Sequence, residues 1–332
     1  MSEFRQNIIT RDWVIIATDR TKRPKQFVQP GKEKSIIPLH EGTCPFCPGN
    51  EAMVEVERFR INREGEWICR VVANKYPALT EGGETRRMYK GIYRSMTASG
   101  IHDVVIEHPH HNKTLTEMTI EDIARVIGTY KQRSLEIKQL ENIELITIFR
   151  NHGSMAGTSL IHPHSQIVAT PIVPYQIRSR IETAIQYFDD NGECIFCRTI
   201  NEELDSGERI IFTTKHFVAF IPYAALSPFH IWIFPREHRS SFEDIAEEEI
   251  SDLAYNLQTV LLKLKIGLND PDFNFTIRSI PIRERSTEYY HWYLAIVPRT
   301  AITAGFELGS GMYISAAIPE ESAKFLREIS IE

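Results

Sequence analysis

The sequence repeats itself. Cys44-Pro45-Phe46-Cys47 is echoed by Cys194-Ile195-Phe196-Cys197, and Tyr76-Pro77-Ala78-Leu79 by Tyr223-Ala224-Ala225-Leu226. His102-Asp103-Val104-Val105-Ile106-Glu107 leads to His111 as His230-Ile231-Trp232-Ile233-Phe234-Pro235 leads to His238, and an apolar anchor, Leu115 or Phe242, follows four residues later. Next comes a stretch, about 120–139 or about 246–265, whose apolar positions recur at the helical spacing of roughly 3.6. They are Ile120, Ile123, Val126, Ile127 and Tyr130 in the first copy and Ile250, Leu253, Leu257, Val260 and Leu261 in the second. Glu144-Leu145-Ile146-Thr147-Ile148-Phe149 then precedes His162 as Phe273-Asn274-Phe275-Thr276-Ile277 precedes His291. Matching landmarks in matching order mean one folding unit used twice.

Within each unit, short strand-like runs with turn signals surround one long helix. That pattern predicts an α+β fold, an antiparallel sheet with helices packed on one side, duplicated in tandem. A chain of 332 residues suits two such domains, 1–175 and 176–332, with a helical stretch at 176–188 bridging them. No apolar run is long enough to span a membrane and the N-terminus lacks the apolar core of a signal peptide, so a cytoplasmic protein is expected. A net charge of −6 argues against nucleic-acid or anionic-membrane binding, which needs a broad basic face. A small anion needs only a local basic cluster.

Five cysteines form two Cys-x-x-Cys pairs and leave Cys69 alone, a pattern that favours metal over disulfides in a reducing compartment. The repeat turns scattered residues into two candidate ligand sets: Cys44, Cys47, His111 and His162, mirrored by Cys194, Cys197, His238 and His291. Two thiolates and two imidazoles suit zinc, and a closed four-ligand shell makes both ions structural. His108 and His110 stand beside His111, and only the alignment of the halves selects His111. The competing reading, small buried hydrophobes with His238 and His291 as polar edge residues, weighs most on the second half. Cys69, in the 67–72 run, reads as a half-buried strand residue.

Residues 151–166, Asn151-His152-Gly153-Ser154-Met155-Ala156-Gly157-Thr158-Ser159-Leu160-Ile161-His162-Pro163-His164-Ser165-Gln166, are a glycine-containing turn running into alternate histidines. Residues two apart on a strand share a face, so His162 can serve a metal while His164 faces a substrate. Neutral imidazole is a competent nucleophile near neutral pH. Gln166, Ser159 and the backbone amides of the 153–157 turn are close enough in sequence to meet charge on a phosphoryl group. An isolated His-x-His is more often surface, metal or core; the flanking turn and Gln166 set this one apart. In the second half Tyr293 stands where His164 stands in the first, so the nucleophile is not repeated.

With Trp13-Val14-Ile15-Ile16, Arg20-Thr21-Lys22-Arg23-Pro24, Asn74-Lys75-Tyr76-Pro77-Ala78-Leu79 and His111-Asn112-Lys113-Thr114-Leu115, the chain resembles the galactose-1-phosphate uridylyltransferase family, a branch of the histidine-triad superfamily, over nearly its whole length. The resemblance implies a double displacement through a covalent nucleotidyl-histidine at His164. It further implies that Gln166 bonds the phosphoryl group of that intermediate and Ser159 the neighbouring phosphate, that Arg20 and Arg23 meet substrate phosphates, and that Asn74 and Asn151 line the nucleotide pocket. The implied substrates are a nucleotide sugar, UDP-glucose or ADP-glucose, with a hexose 1-phosphate or phosphate. The implied assembly is a homodimer.

The second half departs from the family. A histidine-rich iron-binding stretch, His-Trp-Gln-Leu-His-Ala-His, reads here His291-Trp292-Tyr293-Leu294-Ala295-Ile296-Val297, so no iron is expected. The hexose-contacting Val-Gly-Tyr-Glu becomes Ala304-Gly305-Phe306-Glu307, leaving Phe306 and Glu307 to meet the sugar, while Ala301 and Tyr313 replace a lysine and a glutamine. These changes are similar to a subgroup that includes the plant ADP-glucose phosphorylase, which carries adenylyl groups. Uridylyl transfer between UDP-glucose and galactose 1-phosphate is the first reading, because the N-terminal half matches throughout, and adenylyl transfer the alternative. A histidine-triad hydrolase is more distant, given Glu307 and the C-terminal sugar loop. A zinc-ribbon binding module accounts for the cysteines but not for residues 151–166.

Overall fold

In the computed structural model, which describes residues 2–18, 23–28, 36–284 and 286–331, the repeat closes into one sheet. The first half supplies β1 (Glu3–Gln6), β2 (Trp13–Ile16), β3 (Glu57–Arg63), β4 (Glu66–Ala73), β5 (Arg87–Lys90), β6 (Tyr93–Met96), β7 (Ile101–Ile106), α1 (Ile120–Ile137), β8 (Leu145–His152) and β9 (His164–Thr170). The second begins with α2 (Tyr175–Asn191) and α3 (Ile195–Ser206), then β10 (Ile210–Thr213), β11 (Phe217–Phe220), β12 (Ile231–Pro235), α4 (Glu247–Leu268), β13 (Phe273–Arg278) and β14 (Tyr293–Pro298). It ends with α5 (Gly305–Ser310), β15 (Tyr313–Ser315) and α6 (Pro319–Glu328).

Ten strands run in the order β10-β11-β12-β14-β13-β8-β9-β7-β4-β3. Outward from the β8–β13 seam, the first half reads β8, β9, β7, β4, β3 and the second β13, β14, β12, β11, β10: one antiparallel order used twice about a pseudo-dyad. The seam pairs Asn274 with Asn151 and Thr276 with Phe149. A small sheet, β1-β2-β15, and the β5–β6 hairpin stand apart from it.

Helices α1 and α4 cover one face. The stripes read from the sequence, Ile123, Val126, Ile127 and Tyr130 with Ile250, Leu253, Leu257, Val260 and Leu261, are buried in one core with Val71, Val105, Ile148 and Ile167 from the sheet. Burial of each such side chain contributes about 1.5–3 kcal/mol relative to exposure, so the stripes decide which way the helices face. A capping box starts α1: Asp122 N–H donates to Thr119 Oγ1, and Thr119 N–H to Asp122 Oδ2, each at 3.1 Å. Left-handed Asn269 ends α4 three residues beyond the expected boundary, at Leu268. The bridging helix α2 likewise runs past 188 to Asn191, where left-handed Gly192 stops it.

Cys69 is 1% exposed rather than half-buried, because β4 is an inner strand and this side of it lies under α1, where Sγ meets Thr129 Oγ1 at 3.5 Å. Among the described residues, no helix is long and apolar enough to cross a membrane.

Candidate functional site

The uncovered face carries the site. His164 opens β9 opposite Ile106 of β7, and Gln166 lies opposite Val104. Strand alternation sends Ser165 to the helix side, where Tyr130 Oη donates to its Oγ at 2.7 Å. His164 and Gln166 line a cavity of about 380 Å³ together with Asn74, Ser159, Phe46 and Val72. A larger open groove of about 830 Å³ between β3, α1 and α4 has no histidine or cysteine in its wall.

The cavity wall fixes the tautomer of His164. Nδ1 lies 2.9 Å from the His162 carbonyl oxygen, which can only accept, so Nδ1 carries the proton and Nε2 keeps its lone pair. Burial holds the ring below the usual imidazole pKa, and the Arg150 charge works in the same direction, against the raising effects of the His162 hydrogen bond and Glu107. The result is a neutral imidazole with one nucleophilic nitrogen.

Gln166 is oriented by a residue that sequence reasoning used only as a landmark. Ala78 N–H donates to His102 Nδ1 at 3.1 Å, so the neutral His102 ring carries its proton on Nε2, which donates to Gln166 Oε1 at 2.8 Å. Asn74 stands beside them, its Oδ1 accepting from Tyr76 N–H at 2.9 Å.

The 153–157 turn differs from expectation. Three of its five amides are engaged within the protein: Met155 N–H donates to Asp272 Oδ2 at 2.7 Å, Ala156 N–H to Gly153 O and Gly157 N–H to Ser154 O. The last two bonds close a single 3-10 turn on itself. Asp272, which no sequence motif marked, clamps this turn from the other half, and Gly153 (φ 85°) admits it because a Cβ there would stand 2.0 Å from Asp272 Oδ1.

Not every expected contact is brought to the cavity. Asn151 is off its wall, its Oδ1 accepting from Asn274 Nδ2 across the seam at 2.7 Å. Arg23 is exposed ahead of a 3-10 turn at Pro24–Phe27 and is not on that wall, and Arg20 lies outside the described residues. Phe306 and Glu307 sit on α5, beside β15 of the small sheet. Phe306 is 46% exposed, and Glu307 caps its own helix by accepting from Ala304 N–H at 2.9 Å and lines a different cavity. Within one chain, therefore, these two do not reach His164.

The two cysteine–histidine sets gather to different degrees. Cys44, Cys47, His111 and His162 are all buried, with their ligand atoms within 4.8 Å of one another, and could hold a metal ion. Cys47 Sγ is 3.6 Å from both His111 Nδ1 and His162 Nδ1, and His162 Nε2 lies 2.8 Å from the His108 carbonyl oxygen, which leaves the Nδ1 lone pair facing the sulfur. In the second set Cys194, Cys197 and His238 gather, with Cys197 Sγ 3.2 Å from His238 Nδ1 and His238 Nε2 3.0 Å from the Thr287 carbonyl oxygen. His291 does not join them, because its Nδ1 is held 3.0 Å from the Trp292 carbonyl oxygen. Its ring nonetheless stands 5.3 Å from that of His238, as His162 stands 5.4 Å from His111.

The mirror of the His164 cavity is filled. Tyr293 stacks on Phe234 with centroids 4.7 Å apart and lies 5.1 Å from Trp232, while Phe196 meets Tyr290 at 4.8 Å. Ala295 replaces Gln166.

Comparison with known proteins matches this architecture at full length. Residues 1–174 fit the family model described as galactose-1-phosphate uridyl transferase, N-terminal domain, and residues 180–299 its C-terminal domain. The chain is 37% identical to ADP-glucose phosphorylase of Arabidopsis thaliana over 99% of its own length and 93% of that protein. It is 28% identical to galactose-1-phosphate uridylyltransferase of Thermotoga maritima over the whole of both. Among solved structures, an Arabidopsis thaliana ADP-glucose phosphorylase with bound ADP-glucose superposes with a TM-score of 0.85 at 33% identity, over the whole of both chains. A uridylyltransferase superposes at 0.77 and 27% identity, covering 98% of this chain and 97% of that one. The protein belongs to the galactose-1-phosphate uridylyltransferase family.

Proposed function

We propose that this protein transfers a nucleoside monophosphate between phosphorylated partners through a covalent intermediate on His164. His164 Nε2 attacks the α-phosphorus of a nucleotide sugar, the bond to the hexose 1-phosphate oxygen breaks, and hexose 1-phosphate leaves. A second phosphate oxygen then attacks the same phosphorus, breaks the N–P bond and departs with the nucleotide. A phosphate leaving group needs little protonation, so no carboxylate base is required. Gln166 donates to the phosphoryl oxygens and Ser159 to the adjacent phosphate. The observation that carries this reading is the tautomer of His164, with Nδ1 anchored on a carbonyl and Nε2 left for the cavity.

The donor has two readings. Uridylyl transfer between UDP-glucose and galactose 1-phosphate follows the family as a whole. Adenylyl transfer from ADP-glucose to phosphate is favoured by the 37% identity with the Arabidopsis enzyme. The apolar walls of the cavity, Phe46, Val54, Val72 and Leu160, discriminate little between the two bases. Incubating the protein with UDP-glucose or ADP-glucose, without acceptor, and weighing it intact decides: the expected result is one nucleotide per chain, with the mass increment naming the base. No adduct from either donor, together with unchanged turnover in His164→Asn, would refute the mechanism.

In the same reading residues 1–175 form the catalytic domain, and 176–332 complete the sugar-phosphate side with Phe306 and Glu307. Arg20, Arg23 and Asn151 keep their assignment to substrate. Two structural zinc ions suit the cysteine–histidine sets: tetrahedral zinc puts sulfur and nitrogen ligands roughly 3.5–3.6 Å apart, and the first set stands at 3.6 Å. His291 completes the second set once its ring turns. Five free thiols fit a reducing cytoplasmic setting. Met88, Tyr89, Ile92 and Tyr93, exposed on the β5–β6 hairpin, offer an apolar surface for the expected homodimer.

A further inference from the structure

On the helix side of the sheet, beneath His164, Glu107 and Arg150 form a buried ion pair. Arg150 Nε donates to both carboxylate oxygens, at 3.1 and 3.0 Å, and its Nη1 donates to His152 Nδ1 at 3.1 Å. Tyr130 Oη, which donates to Ser165 Oγ, lies 3.4 Å from Glu107 Oε1. Glu107 N–H donates to the Pro163 carbonyl at 3.1 Å, and the residue before it, Ile106, pairs with His164. Glu107 therefore stands against both chain neighbours of the nucleophile, Pro163 directly and Ser165 through Tyr130.

The second half has none of this. Val104 pairs with Gln166 as Trp232 pairs with Ala295, which puts Pro235 in the place of Glu107. Phe149 pairs with Gln166 as Thr276 pairs with Ala295, which puts Ile277 in the place of Arg150. Leu294 precedes Ala295 as Ser165 precedes Gln166, and Leu257 holds in α4 the place that Tyr130 holds in α1, counted from His238 and His111. All four replacements are apolar and buried. The same sheet and helix thus pack without charge, and a buried ion pair is often no more stabilising than apolar side chains of similar volume. Stability does not account for a pair kept only in the half that carries a nucleophile.

The chemistry at His164 does account for it. In the double displacement set out above, on which this inference rests, Nε2 gives its lone pair to the α-phosphorus, and the electron pair of the breaking P–O bond leaves with hexose 1-phosphate. The proton stays on Nδ1, held by the His162 carbonyl, so the nucleotidylated ring is a cation until the second phosphate restores the lone pair. We propose that the Glu107 carboxylate, aimed by Arg150, holds that positive charge and so sets how far the enzyme is nucleotidylated. Glu107 lies on the face of the sheet away from the cavity and acts through His164, as a positioning residue. Burial disfavours a charged ring, and of the two ionic groups beneath it the carboxylate, which favours the charge, has the larger effect.

The test is the equilibrium between free and nucleotidylated enzyme, read by intact mass with whichever of UDP-glucose and ADP-glucose labels the wild type, while glucose 1-phosphate is titrated against it. Glu107→Leu combined with Arg150→Ile copies the second half, with leucine rather than proline because the residue 107 N–H must still reach Pro163. This variant is expected to unfold no lower than wild type, yet to shift the equilibrium about tenfold or more toward free enzyme. Arg150→Lys keeps both charges and is expected to stay within about threefold of wild type. If the apolar pair does not fold, Glu107→Gln with Arg150→Gln carries the same expectation. A folded neutral variant with the wild-type equilibrium, or one that loses only affinity for the nucleotide sugar, overturns the role of Glu107. No label on wild type from either donor is a different failure, which removes the covalent reading and this inference with it.

Discussion

His102 and Gln166 face each other from β7 and β9, Nε2 to Oε1 at 2.8 Å, with the proton on the histidine because the Ala78 amide occupies Nδ1. The bond engages the Gln166 carbonyl. In the proposed mechanism the Gln166 amide hydrogens serve a phosphoryl oxygen, which makes His102 a positioning residue. His102→Leu is expected to slow nucleotidylation about tenfold to a hundredfold, the range of one lost hydrogen bond to a charged group. Gln166→Leu should be at least as slow, and the double variant no slower than Gln166→Leu alone. Single-turnover labelling of the four proteins measures this cycle, and additive losses would exclude the coupling.

The pH dependence of labelling follows from burial of His164. Protonation of Nε2 removes the nucleophile, and burial lowers the pKa below 6.5, so the reactive form persists on the acid side of an ordinary imidazole. The rate of adduct formation is expected to stay flat from about pH 8 down past the ordinary imidazole value and to fall only at lower pH. A rate already halved at pH 6.5 would contradict it.

Gly153 and Gly157 flank one turn with nearly the same φ, 85° and 87°, but different surroundings. A Cβ at Gly153 would meet Asp272, while one at Gly157 meets nothing within 4 Å. Gly157→Ala should cost about 1–2 kcal/mol, the strain of a left-handed residue. Gly153→Ala should cost about 2–4 kcal/mol and lower the labelling rate as well, since the clamp on Met155 must shift. Urea unfolding and labelling of both variants give the comparison; equal losses would remove Asp272 from the account.

Metal analysis separates the two cysteine–histidine sets. Two ions per chain are expected in wild type and one in Cys47→Ser, with a lower unfolding temperature. His291→Ala should retain the second ion but release it to a weaker chelator than wild type does. Identical release would show that Cys194, Cys197 and His238 hold it without His291.

Much of this was legible in the sequence because periodicity survives folding. Ile123, Val126 and Tyr130 sit where their spacing put them, and so do Cys44, Cys47, His111 and His162, whose convergence was read from the repeat alone. Contacts across the seam carry no local signature: nothing near Asp272 in sequence announces Met155, and Asn151 spends its side chain on Asn274 rather than on the cavity wall. Glu307 was placed by family position, but a carboxylate three residues into a helix also satisfies the helix N-terminus, and within one chain that is what it does. Backbone amides of the glycine turn were expected to meet a phosphoryl group, but the turn bonds Ala156 and Gly157 N–H to its own carbonyls, and Asp272 takes that of Met155.

Two separate copies of one half, meeting across the β8–β13 seam, would have to carry identical pockets, because a closed symmetric pair repeats every residue on both sides. Joining them in one chain lifts that obligation. The Tyr293–Phe234 stack occupies one pocket as solid core, while its counterpart stays hollow around His164. Rigidity is concentrated on one side of the pseudo-dyad and chemistry on the other, an asymmetry that no pair of identical subunits could encode.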